Sequence, residues 1–65
     1  MRYNIKARLA ILGKTQVWLI GELAKRGEKV NAPELSNFRS GAITTPKGER
    51  VLAMCDQILK ELEGN

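Results

Sequence analysis

Sixty-five residues are expected to form one domain, 1–65, and a chain of this length buries only about 60% of the surface its unfolded form exposes, so its stability is marginal. One cysteine, Cys55, and no histidine exclude an intramolecular disulfide, the usual zinc spacings and the commonest general base. Eleven Lys/Arg against seven Asp/Glu leave a net charge of +4. The charge is lopsided: ten of the eleven cations precede Val51, whereas Asp56, Glu61 and Glu63 face a lone Lys60 after it. That distribution predicts an N-terminal body that meets a polyanion and a C-terminal element turned to water or to a protein partner.

The apolar spacing is helical almost throughout and no alternating run reaches five residues, so the predicted fold class is all-α, with four to five short helices. Asn4 is a predicted cap for a first helix in which Ile5, Leu9 and Leu12 share a face, and Gly13 ends it. Thr15 is placed to cap a second helix, with Leu19, Ile20 and Leu23 inward and Gly27 as its close. Gly21, inside that helix, either permits a close helix crossing or is simply tolerated. Trp18 is expected to cover the small core. After a polar stretch at 28–30, Asn31 and Pro33 open a third helix that turns Leu35 and Phe38 inward. Ala32, Pro33, Ser36, Asn37 and Ser40 take its other side, and Gly41 stops it. Thr45 and Pro46 begin a fourth, longer helix whose apolar face runs through Val51, Leu52, Cys55, Ile58, Leu59 and Leu62, with fraying after Glu63.

Catalytic readings lack parts. Ser36, Ser40 and Cys55 have no histidine to activate them, the acids form no metal-spaced cluster, and the glycines match neither a P-loop nor a dinucleotide fingerprint. No enzyme activity, cofactor or metal is therefore expected. The first thirteen residues are charged throughout and no apolar run approaches the roughly 20 residues of a membrane span, so a soluble, cytoplasmic protein without a membrane partner is expected.

A binding role is better supplied. Small polar side chains on the outer side of the third helix suit approach to a groove floor: the Asn37 amide can bond adenine at two points, and Ala32 and the Pro33 ring can touch a thymine methyl. Asn37 is equally compatible with an ordinary solvated position. Gln16, beside Lys14 and Thr15 at a helix N-terminus, makes a clamp for a phosphate. Lys25, Arg26 and Lys29 crowd the long turn and Lys47 and Arg50 open the fourth helix, either meeting phosphates or remaining solvated.

Thr15-Gln16 followed by Leu19-Ile20, then Leu35-Ser36, Phe38 and Gly41, resembles the Cro/repressor type of helix-turn-helix, the lambda-repressor-like fold of phage repressors and their small bacterial relatives. The resemblance spans nearly the whole chain. It implies a sequence-specific regulator of phage or mobile-element type that binds double-stranded DNA as a homodimer, with residues 32–40 in the major groove. It further implies that Gln16 touches the DNA backbone, that Ala32, Pro33 and Asn37 face bases with Asn31 and Ser36 beside them, and that Ser40 and the Lys47 region meet phosphates. Either the apolar face of the fourth helix folds wholly inward, or its end projects and makes Leu59, Leu62 and their neighbours candidates for the dimer contact. Two features depart from the family pattern. The connection 24–31, AKRGEKVN, is several residues longer than the family turn, and Arg39 stands where many members carry a Glu that pairs with an Arg of the first helix. Two other roles suit the same fold: a protein-interaction module, such as an antirepressor or adaptor, and an excisionase-like architectural factor that bends DNA.

Overall fold

The computed structural model describes residues 2–64. A 3-10 turn at Arg2–Asn4 leads into α1 (Ile5–Leu12), α2 (Gln16–Lys25), α3 (Ala32–Ser40) and α4 (Pro46–Leu62), and no strand occurs among the described residues. The chain is all-helical, as its periodicity predicts. No helix is long and apolar enough to cross a membrane, among the same residues.

Three helix starts share one chemistry. Thr15, Asn31 and Thr45 each hold extended backbone and accept, through a side-chain oxygen, from the amide three residues on: Trp18 at 3.1 Å, Glu34 at 2.8 Å and Gly48 at 3.1 Å. Each satisfies an amide that the helix itself leaves unpaired. The start of α1 differs. Asn4 sits in the left-handed region with φ 50 and makes no capping bond, so its predicted role is corrected: a cap needs extended backbone to aim its oxygen along the first turn.

Helix ends use glycine where the backbone turns left-handed. Gly13 has φ 71 and Gly27 φ 87, and the residue after each returns its amide to a carbonyl inside the helix, Lys14 to Leu9 and Glu28 to Leu23, both at 2.9 Å. The second helix therefore stops at Lys25, and Gly27 shapes the exit.

A core of Ile5, Leu9, Leu19, Leu23, Val30, Leu35, Phe38, Val51, Leu52, Cys55, Ile58 and Leu59 gathers around α4, which packs against α1, α2 and α3. Trp18, Leu12 and Ile20 lie partly buried against it. The long connection is anchored by Val30, which the sequence pattern assigned to a polar stretch. Leu59 is fully buried while Leu62 is 43% exposed, so the predicted apolar face closes inward before Leu62, and Leu59 is unavailable as a dimer contact. Gly21 permits no close crossing: a Cβ there would meet nothing within 4 Å.

The acids of α4 do not simply face water. Asp56 and Glu63, the latter just past the end of the helix, both hold Arg8 of α1, at 2.8 Å each, and Glu61 holds Arg26 at 2.7 Å. Charges that are segregated along the chain are thus interleaved in space.

Candidate nucleic-acid interface

Helical periodicity sorts the side chains of α3 into three strips. Leu35 and Phe38 enter the core. Ser36 and Arg39, three residues apart, turn toward the start of α2, where the Gln16 amide nitrogen donates to the Ala32 carbonyl at 3.3 Å and to Ser36 Oγ at 3.4 Å. Gln16 Oε1 accepts from Arg39 Nε at 3.0 Å, and Arg39 Nη2 reaches Ser36 Oγ at 3.4 Å. This four-residue network locks the first turn of α2 onto one flank of α3. On the opposite flank Lys47 of α4 pairs with Glu34 at 3.1 Å.

The third strip is left to solvent. Ala32, Pro33, Asn37 and Ser40 are exposed. Asn37 spends only its backbone carbonyl, on Ile43 N and Ser40 Oγ, and its carboxamide has no protein partner among the described residues. An exposed amide on a rigid helix, with both donor and acceptor unspent, can form a two-point contact with a planar hydrogen-bonding edge. Pro33 and Ala32 supply apolar surface next to it.

The other candidates are engaged within the protein. The Thr15 hydroxyl and Asn31 carboxamide cap their helices, and the Ser40 hydroxyl donates to the Asn37 carbonyl and accepts from Ala42 N, both at 3.3 Å. Lys14 holds its ammonium 5.1 Å from the centroid of the Trp18 ring, a cation–π contact. Lys25, Arg26 and Arg50 have carboxylate partners in Glu22, Glu61 and Glu28. Most of the basic residues around the long turn and the start of α4 are thus neutralised locally. Lys29 is exposed.

Two residues stand at this surface that the sequence pattern did not assign to a site. Lys6 of α1 and Arg39 of α3 join Leu9, Ala10, Lys14 and Gln16 around a groove of about 340 Å3. Arg39 could have been found from its three-residue spacing to Ser36. Lys6 had no local signal, because its place depends on how α1 lies against α2 and α3.

Cys55 is buried and burial pushes its thiol up to about 12, so it stays protonated at neutral pH. No group of three His, Cys, Asp or Glu residues gathers to hold a metal among the described residues. Comparison with protein-family models, with curated proteins and with solved structures finds no match.

Proposed function

We propose that this chain is a sequence-specific double-stranded DNA-binding protein, a repressor-like regulator of phage or mobile-element type built on a helix-turn-helix. In this reading α2 braces, and α3 presents residues 32–40 to the major groove. The observation that carries it is the exposed strip of Ala32, Pro33, Asn37 and Ser40 on a helix held rigid from behind by Leu35 and Phe38 and from the side by Gln16. The strip is uncharged and short in side chain, which allows close approach to base edges, and the Asn37 carboxamide matches the N6/N7 edge of adenine. Gln16 then acts as an orienting residue that sets the angle of α3, and its effect on affinity is independent of base sequence.

One such helix covers only a few base pairs, so two copies acting on half-sites about 34 Å apart would supply the specificity a regulator needs. Selection from randomised duplexes at moderate salt should enrich a defined sequence. Asn37→Ala should then weaken that sequence by roughly 1–3 kcal/mol and relax preference at one position. Gln16→Ala should weaken every duplex alike. Enrichment of no sequence by the folded wild-type protein would refute the regulator and favour an adaptor that binds protein.

A further inference from the structure

We infer that the groove between α1, the start of α2 and the end of α3 is a seat for one phosphodiester of a DNA strand, held by Lys6, Lys14 and Arg39 outside the base-reading strip. The inference deepens the DNA-binding reading and rests on it.

Three cations from three helices or their connections converge there, and none has a carboxylate within ion-pair distance among the described residues. Of the cations elsewhere, Arg8, Lys25, Arg26, Lys47, Arg50 and Lys60 each have an acidic partner at 3.2 Å or less, and Lys29 stands by itself on the long connection. Arg39 is steadied by Gln16 and Ser36 and Lys14 by the Trp18 ring, but neither contact neutralises charge, so the like charges around this concavity repel and an anion would relieve them. The interactions that place Arg39 use only Nε and Nη2, leaving the Nη1 edge available to an incoming oxygen. Buried Leu9 contributes an apolar wall, which weakens screening by water.

Continuity with the strip on α3 selects the occupant. Gln16 lines the groove and also touches the Ala32 carbonyl, the first residue of α3, so the side chain that steadies the base-reading helix also borders the groove. A duplex whose bases face Pro33 and Asn37 runs its sugar–phosphate backbone along that flank. Contacts of this type set register and add salt-dependent affinity without reading sequence.

The test uses the full chain and its selected duplex, synthesised with a single uncharged methylphosphonate linkage at successive positions outside the read bases. One position should cost the wild-type protein roughly tenfold in affinity. The K6Q/K14Q variant should lose a similar factor on the unmodified duplex, lose clearly less than the wild type at that linkage because only Arg39 remains, keep the same base preference, and show a slope of log K against log salt about one unit shallower. Urea unfolding of the variant verifies that it is folded. Wild-type binding with no linkage that separates the two proteins would overturn the groove assignment while leaving the regulator reading intact. Failure of any duplex to bind would overturn both. Competition by inorganic phosphate beyond that of chloride at equal ionic strength would make free phosphate the occupant and likewise overturn the assignment.

Discussion

At Gly48, a Cβ atom would lie 2.8 Å from Cδ1 of Phe38, so this buried ring would have to shift to admit it. Gly48→Ala should therefore destabilise the fold by about 1–2 kcal/mol, because overpacking outweighs the gain in helix propensity. Gly21→Ala should do the opposite. That position is an exposed helix interior with nothing within 4 Å of the added methyl, and about 1 kcal/mol of stabilisation is expected. Urea unfolding of the two variants, read as shifts of the midpoint in opposite directions, checks both. The sequence shows each glycine inside a helical pattern and offers no means of telling them apart, since the difference lies in a ring ten residues away on another helix.

At the scale of the helices, the capping residues matter most. Asn31→Ala should cost about 1 kcal/mol, the usual loss when an amide of the first turn is left without its acceptor, whereas Asn31→Asp should retain most of the stability. Thermal melts of both variants would decide it, and equal losses would show that the cap is not the cause. Thr15, Asn31 and Thr45 were legible as caps because capping chemistry operates within three residues. Asn4 has the right side chain but the wrong backbone, set by a preceding 3-10 turn that composition does not announce. Val30 is a further lesson: it stands in a polar stretch, yet it anchors the long connection through the core.

Across the whole molecule, ion pairs close the fold. Hydrogen bonds from Arg8 lower the carboxyl pKa values of Asp56 and Glu63, those from Arg50 lower that of Glu28, and those from Arg26 lower that of Glu61. A carboxyl whose folded-state pKa lies below its unfolded value contributes stability that is present at neutral pH and is lost as pH falls through the folded value. The unfolding midpoint in urea should accordingly hold between pH 7 and 5 and drop once pH goes below about 4, near the unfolded carboxyl values. Arg8→Met should flatten that drop, since two of the four carboxyls share Arg8. The buried thiol supplies a second readout: Cys55 should react with an aromatic disulfide reagent only as the chain unfolds, and rapid labelling of the native protein would contradict the packed core.

What the sequence by itself determined is the short-range part: helices from their apolar period, starts from Thr15, Asn31 and Thr45, and an outer strip on α3 that includes Asn37. These follow from interactions within about one helical turn, which the order of residues carries directly. Apart from Lys25 with Glu22 and Lys60 with Asp56, which pair within one helix, tertiary structure decided which cations are neutralised. Arg8 meets Asp56 and Glu63 across 48 and 55 residues, and Gln16 meets Arg39 across 23. Such partners are chosen by how α4 lies across the other helices, and that same packing gathers Lys6, Lys14 and Arg39 around one groove. Charge acts through space, so its balance at any point depends on the folded distances and not on the chain order.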